Sequence, residues 1–251
     1  MKRLLVKIYR MMKGLFYDGV FWIMSAVVIA VIAGITGVFM KYYGYRICAM
    51  DFFPYVSRFQ GLALLPVTVC VIMAALRYEF LGERVVKFRK LSYVWVQIFF
   101  KTMLLSLICA VLYTLVLCLC GKLYPVFLWD RRDSMMFFYT AHVMPEYSYW
   151  KVIGEFLWVS FLNIWLFGEA ALLIFWVSGH PLAGILISVT SAAVLDQFPL
   201  DFYKKMRFSH EEIRWNIAPF WRISVFLPLL FLIFLMGLIL VRKRDFLKSE
   251  K

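Results

Sequence analysis

The stretch TMLLSLICAVLYTLVLCLC, residues 102–120, carries no charged side chain and decides the fold class of this protein. An α-helix needs about 20 predominantly apolar residues to cross the hydrocarbon core of a bilayer, and this stretch has that length. The rest of the chain shares its character, because 64% of the 251 residues are hydrophobic and only 17% are charged. Soluble domains are roughly 45–50% apolar. The composition therefore predicts a helical membrane protein and excludes a water-soluble globule.

Further apolar windows lie on both sides of this stretch, and together they predict six transmembrane helices. The predicted spans are residues 20–40, 59–76, 102–120, 156–177, 182–195 and 223–241. The fifth is short for a full crossing, so whether it crosses completely is left open. The first is too long for a signal-peptide core and is predicted to be an uncleaved helix. The chain is thus predicted to be one all-α integral membrane domain over residues 1–251.

The net charge of +13 is interpreted as a signal of membrane orientation. Lys and Arg are enriched on the cytoplasmic side of membrane proteins, most strongly next to the spans. The basic clusters that adjoin the first and last spans are Lys2, Arg3, Lys7, Arg10 and Lys13, and Arg242, Lys243 and Arg244. Both termini and residues 77–101 and 178–181 are therefore predicted to be cytoplasmic, and residues 121–155 and 196–222 external.

The N-terminal segment, residues 1–19, has an amphipathic pattern. Between residues 2 and 16 the apolar side chains recur at helical spacing on one face, opposite the five basic ones. This pattern is typical of a helix that lies in the interface beside anionic headgroups. The alternative is a basic flank that only sets the orientation of the first span.

The predicted cytoplasmic loop 77–101 is also amphipathic. Glu79, Glu83, Lys87 and Lys90 share one helical face, and Glu83 and Lys87 form an i,i+4 pair in the favourable order. A cytoplasmic helix in this loop either seals the bundle from below or docks a cytoplasmic partner.

The same loop carries a resemblance to a known family. Glu79, Gly82, Leu91, Ser92 and Lys101 match a loop pattern of the permease subunits of type-2 ABC exporters, and the terminal VRKRDFL, residues 241–247, resembles their C-terminal end. The proline that often accompanies the Leu-Ser pair in that family is absent here, since Tyr93 follows Ser92 directly. With the amphipathic N-terminal segment and the six spans, the resemblance covers nearly the whole chain.

The resemblance implies a non-catalytic transport subunit in a bacterial plasma membrane. It implies a dimer with a second copy or a related permease, and a separate cytoplasmic ABC ATPase that binds ATP and Mg²⁺. This chain has no G-x-x-x-x-G-K-[ST] loop of its own and no predicted cofactor. The residues expected to couple to the ATPase are Glu79, Gly82, Glu83, Lys87, Lys90, Leu91, Ser92 and His180. For Ser178-Gly179-His180-Pro181, a plain helix-breaking turn is the alternative.

Glu169 is the ionisable residue that lies well inside a predicted span. Intramembrane carboxylates usually face a bundle interior or a cavity. Trp165 and Trp176 are placed on the same helical face, so these three residues are predicted to line the translocation path of a cationic, amphipathic substrate. The alternative is a helix–helix hydrogen bond from Glu169, with Asn163 or Ser160 on other copies or spans as partner.

Two alternatives to transport are open. An intramembrane enzyme would use Ser178 with His180, or Asp130, Asp133 and His142, although no recognised catalytic motif surrounds them. A membrane scaffold would need no ATPase. The favoured substrate is an antimicrobial or cytolytic peptide, in an export or an immunity role, with another amphipathic or hydrophobic compound as the broader class. The external segments, rich in aromatic residues, form either an interfacial belt or a roof over the exit path. The five cysteines predict neither disulfides nor a metal site.

Overall fold

The structure, a computed structural model, describes residues 26, 27, 29–31, 34, 37, 38, 49–57, 60–76, 91–123, 149–197, 207, 208 and 220–243. Within these residues the regular structure is entirely helical, which confirms the all-α part of the predicted fold class. The helices are α1 Ala49–Ser57, α2 Leu65–Leu76, α3 Leu91–Leu123, α4 Tyr149–Ser178, α5 Pro181–Gln197 and α6 Phe220–Lys243, with a π-helical turn Gln60–Leu64 ahead of α2. The described residues between 26 and 38 are helical as well. The predicted N-terminal helix of residues 1–19 lies outside the described residues.

Two of these helices are long and apolar enough to cross a membrane. The qualifying segments are Ser92–Leu119 in α3 and Trp150–Ser178 in α4. The apolar segments of α2, α5 and α6 are shorter, at Leu65–Leu76, Pro181–Leu195 and Ser224–Leu240. Helices therefore occur in each predicted span, and the count of six membrane crossings stays a prediction.

Two predicted boundaries are wrong. Helix α3 begins at Leu91, so residues 91–101 belong to that helix and not to a separate cytoplasmic loop. Trp95 and Ile98 are buried in it, and the helix continues through Lys101. Helix α4 likewise begins at Tyr149, inside the segment predicted to be external through residue 155. Each predicted span was bounded by a charged residue, Lys101 or Glu155. One charged side chain does not interrupt the backbone hydrogen bonds of a helix, so both helices begin before that residue.

Helix α1 was not expected from the apolar windows. It has 9 residues and contains Pro54, which donates no backbone hydrogen bond. Phe52, Phe53 and Val56 are buried, at the i, i+1 and i+4 spacing of a helix face. The ring of Phe53 lies 4.9 Å from that of Phe156 in α4. Packing against α4 thus accounts for a helix too short to be stable alone.

Helix α4 occupies the centre of the bundle. It contacts α1, α2, α3, α5 and α6. Residues 159–169 are all buried, so no side of this part of the helix is exposed. A helix that is apolar and covered all round is an interior helix. The other described helices therefore form a layer around α4.

Contacts along α4 set the directions of its neighbours. Trp95 near the start of α3 packs edge-on against Trp176 near the end of α4, with ring centroids 5.6 Å apart. Tyr113, further along α3, lies 5.5 Å from Phe156 near the start of α4. Helix α3 therefore runs antiparallel to α4. The indole nitrogen of Trp95 also donates to the carbonyl of Phe234 at 3.1 Å, which places the C-terminal half of α6 at this same end.

Glycines permit the closest helix contacts. A Cβ atom added at Gly184 in α5 would meet the backbone carbonyl oxygen of Ala171 in α4, and one added at Gly237 in α6 would meet the indole ring of Trp95. Small residues let helix backbones approach closely, which increases van der Waals contact between them. Helix α5 is thus held against α4 by a contact with no room for a side chain.

Apolar residues form both the core of the bundle and much of its exposed helix faces, and some polar residues are buried within that core. The buried polar side chains are Ser57, Gln60, Thr68, Thr102, Ser106, Thr114, Glu155, Ser160, Asn163, Glu169 and Ser188. The exposed large apolar ones on α3, α5 and α6 include Leu107, Leu115, Leu119, Leu182, Leu186, Leu227, Phe231 and Leu235. The apolar core is common to soluble and membrane proteins, whereas so many exposed large apolar side chains mark a surface that contacts lipid or another protein.

Substitution of Gly184 by alanine tests the α4–α5 contact. We expect Gly184→Ala to destabilise the protein by about 1–3 kcal/mol, because the methyl group forces two backbones apart. Thermal unfolding in mild detergent measures the change. Gly154→Ala is the matched control, since the corresponding position on α4 is exposed and has nothing within 4 Å. Equal midpoints for the two variants would show that the close contact contributes little.

Candidate functional site

The candidate site is centred on Glu169, the fully buried acidic residue of α4. The neighbouring Gly168 marks the place where α2 and α3 both come close to α4. A Cβ atom there would lie 2.8 Å from Cδ1 of Ile72 and 3.3 Å from Cγ2 of Thr102. The absence of a side chain at position 168 thus brings α2, α3 and α4 together at the level of the carboxyl group.

Only one oxygen of the Glu169 carboxyl group receives a hydrogen bond from a neighbouring ring. The indole nitrogen of Trp165 donates to Oε1 at 3.3 Å. The hydroxyl group of Thr102 also lies against the carboxyl group, while it donates its own proton to the carbonyl of Ile98 at 2.9 Å. Oε2 has no hydrogen-bond partner among the described residues. A buried acceptor in this condition can accept a further donor or a positive charge.

Aromatic rings lead from the bundle surface to this carboxyl group. Trp158 lies 5.5 Å from Phe161, Phe161 stacks on Trp165 at 5.6 Å, and Trp165 lies 5.3 Å from Phe99 of α3. We call Trp158, Phe161, Trp165 and Phe99 the aromatic ladder. Trp158 is 36% exposed, whereas Phe161, Trp165 and Glu169 are buried. The ladder therefore connects an exposed face of α4 with its buried acid.

The structure joins two of the three residues predicted to line a path. Trp165 contacts Glu169 directly. Trp176 packs instead against Trp95 and is buried at one end of the bundle. Seven residues of helix, about 10 Å, separate Trp176 from Glu169. In this conformation Glu169 lies in a closed interior and not on the wall of an open channel.

The partners suggested for Glu169 are engaged elsewhere. Ser160 accepts a 2.7 Å hydrogen bond from Nε2 of Gln60, in the π-helical turn. Asn163 donates to the carbonyl of Val159 at 3.1 Å, within α4. The Gln60–Ser160 bond ties the π-helical turn to α4. In α2 the hydroxyl group of Thr68 donates to the carbonyl oxygens of Leu64 and Leu65, where that turn meets the helix.

Glu155 is a second buried acid that sequence reasoning missed. It was assigned to an external segment because α4 was predicted to begin at residue 156. The side chain is buried in the first third of α4, and its Oε1 has no hydrogen-bond partner in the described part of the chain. The buried Val152 and Phe156, one turn apart, are the apolar signal that could have extended the helix to include it.

Few of the predicted coupling residues can be placed. Glu79, Gly82, Glu83, Lys87 and Lys90 lie outside the described residues. Leu91 and Ser92 are the first two residues of α3, and His180 lies exposed in the turn between α4 and α5. Because Trp95 packs against Trp176, this turn and the start of α3 lie at the same end of the bundle.

The turn between α4 and α5 is a tight reversal. Gly179 has a φ of 77°, in the left-handed region that favours glycine, and its nitrogen donates to the carbonyl of Phe175 at 2.8 Å. The hydroxyl group of Ser178 exchanges 3.2 Å hydrogen bonds with the backbone nitrogen and oxygen of His180. These contacts involve the His180 backbone rather than its imidazole, so they are those of a turn and not of a nucleophile with its base.

The other catalytic candidates, Asp130, Asp133 and His142, lie outside the described residues. Within the described ranges no group of three or more His, Cys, Asp or Glu side chains could hold a metal ion. No family model, curated protein or solved structure matches this chain.

A double-mutant cycle tests the bond between the π-helical turn and α4. We expect Gln60→Ala and Ser160→Ala to be coupled by about 0.6 kcal/mol, with an upper bound near 1.7 kcal/mol, as for other hydrogen bonds between membrane helices. Unfolding in mixed micelles measures the coupling. Ser191→Ala replaces Ser160→Ala in the control cycle, because the hydroxyl group of Ser191 is exposed and bonds within α5. Strict additivity in the Gln60–Ser160 cycle would contradict this role.

Proposed function

We propose that this chain is the membrane-spanning permease subunit of an ABC exporter. It moves an amphipathic or hydrophobic substrate out of the cell, with energy from a separate ATPase. The favoured substrate is an antimicrobial or cytolytic peptide. The observation that carries the proposal is a fully enclosed carboxyl group, that of Glu169, at the centre of a bundle whose outer surface is apolar.

The outer surface supports a location within a bilayer. On α6 the exposed residues Leu227, Phe231 and Leu235 follow one another at i, i+4 and i+8, and Leu182 and Leu186 do the same on α5. Such continuous apolar stripes are costly in water and favourable in hydrocarbon. The exposed hydroxyl group of Thr190 donates to its own helix at 2.7 Å, which keeps it satisfied without water. We therefore propose a multi-pass plasma-membrane protein with six spans.

The helices differ in length, so the proposed bundle extends beyond the hydrocarbon core along α3 and falls short of its full thickness along α5. Helix α3 has 33 residues, or about 50 Å, against a hydrocarbon core of about 30 Å. Helix α5 has 17 residues, or about 26 Å. A short α5 fits the bilayer by local thinning, and a long α3 extends beyond it.

The end of the bundle that carries the α4–α5 turn suits a cytoplasmic partner. At this end lie His180, the start of α3 at Leu91 and the C-terminal half of α6. Helix α6 ends at Lys243, within the basic cluster 242–244. Positive charge at this end favours the cytoplasm. In this proposal residues 77–90 and His180 form the contact with the ATPase.

The buried carboxyl group supports a transport role rather than a purely architectural one. An acidic residue inside a membrane helix is expensive and usually serves a substrate or ion path. In the conformation described, α2, α3 and α4 close around Glu169. Movement of these helices, driven by nucleotide binding in the ATPase, would open the site to a substrate.

Accessibility of cysteines to a membrane-impermeant maleimide tests the proposed topology. In a Cys48→Ser background, we expect Ser134→Cys to react in intact cells, because residues 121–148 are external. We expect His180→Cys to react only after permeabilisation, because the α4–α5 turn is cytoplasmic. The parent without either new cysteine controls for Cys70, Cys109, Cys118 and Cys120. The reverse pattern of labelling would overturn the orientation.

Capture of the native complex tests the exporter proposal itself. After gentle solubilisation and affinity capture of the whole chain, mass spectrometry should identify a stoichiometric ATPase with a phosphate-binding loop. An unrelated multi-pass protein captured in parallel controls for non-specific binding. Failure to recover an ATPase, under conditions that preserve other membrane complexes, would reject the proposed function.

A further inference from the structure

We propose that the aromatic ladder and Glu169 form a binding site, within a single subunit, for a hydrophobic monovalent cation that enters between α3 and α4 from the lipid. This inference rests on the proposed function and names the class of substrate and its side of entry. The site is distinct from a cavity between two subunits, because every group that forms it belongs to α3 or α4 of one chain.

The ladder has the geometry of an entry route. Its outermost ring, Trp158, is exposed on α4, and α3 also carries exposed apolar residues. The ring centroids of Trp158, Phe161 and Trp165 follow one another at 5.5 and 5.6 Å, and Phe99 of α3 lies 5.3 Å to the side of Trp165, so the rings form a continuous aromatic surface that ends at Glu169. From Trp158 to Glu169 the route covers 11 residues of α4, about 16 Å. This is roughly half the thickness of the hydrocarbon core.

The inner end of the route suits a positive charge. Oε2 of Glu169 is buried and has no hydrogen-bond partner among the described residues. Burial of an ionised carboxylate is costly unless an opposite charge accompanies it, so a cation and this carboxyl group stabilise one another. Trp165 contributes twice, because its nitrogen positions Oε1 at 3.3 Å and its ring face can attract a cation.

The rings of the aromatic ladder also determine which chemical groups can surround the charge of the ligand. Phe161 and Trp165 are stacked, with an interplanar angle of 22°, whereas Phe99 is tilted against Trp165 by 58°. These flat faces pack against apolar or aromatic groups and offer no hydrogen bonds beyond the Trp165 nitrogen. A compact inorganic ion would lose its hydration without replacement here, so an organic cation whose charge is shielded by apolar groups fits best.

Binding of tetraphenylphosphonium to the full-length protein in mild detergent tests this inference. Equilibrium dialysis with radiolabelled probe should show saturable binding by the wild-type chain. We expect Glu169→Gln to weaken binding about tenfold or more, because a buried charge pair is lost. Trp165→Phe keeps a stacked ring and should weaken binding about two- to fivefold, through loss of the indole.

Two controls make the result specific. Glu155→Gln removes the other buried acid of α4, about 21 Å away along the helix, and should bind as the wild type does. Triphenylphosphine oxide, a neutral analogue, should bind the wild type and Glu169→Gln equally. Circular dichroism and gel filtration confirm that each variant is folded. Absence of saturable binding by the wild type, equal binding by Glu169→Gln, or an equal loss in Glu155→Gln would each overturn the site.

The outcome is separable from that of the exporter proposal. Binding of the probe needs neither ATP nor a partner, so it can fail while a captured ATPase still supports export. Conversely, Glu169-dependent binding without a captured ATPase would leave the cation site in place and reject the ABC assignment.

Discussion

The burial of the Glu169 carboxyl group is the constraint on which the rest of the structure depends. A carboxyl group within an apolar bundle must be screened from hydrocarbon on every side, because an uncompensated polar group there costs several kcal/mol. The bundle meets this demand by placing α4 at its centre and by covering residues 159–169 completely. Gly168 allows α2 and α3 to reach the level of the carboxyl group, and Gly184 allows α5 to approach α4 nearby.

Much of the helical fold could be predicted from the sequence, because a long run of apolar residues is a local property. Long runs of uncharged apolar residues located α3 and α4 and predicted an all-helical chain. The predicted helix ends differ from the observed ones where a charged residue lies inside a helix that is buried on both sides of it. Lys101 and Glu155 lie within helices whose burial continues past them, so windows that stop at a charge end too early. Helix α1 was missed because nine residues with an internal proline acquire their structure from packing against α4.

The candidate site was predicted only in part, for a different reason. The i, i+4 spacing of Trp165 and Glu169 is local, and the hydrogen bond between them follows from helix geometry. Trp176 shares their face on an ideal wheel, but its environment depends on Trp95, eighty-one positions earlier in the chain. The contribution of Phe99 and Thr102 from α3, and the bond between Gln60 and Ser160, depend on the pairing of distant helices. No periodicity within one helix contains that information.

The arrangement of forces around α4 bears on how such a site could open. Between helices in a bilayer the hydrophobic effect contributes little, because lipid tails are as apolar as the side chains that they replace. In the proposed membrane location, the close contacts at Gly184 and Gly237 are held mainly by van der Waals packing, and single hydrogen bonds such as Gln60–Ser160 add little more. Displacement of one helix removes its van der Waals contacts with one side of α4. Lipid or an apolar ligand can replace part of those contacts. The carboxyl group is different, because neither lipid nor an apolar ligand can satisfy it. A helix movement that exposes Glu169 is consequently favourable only when water or a positively charged group arrives with it, and this couples opening of the bundle to what enters it.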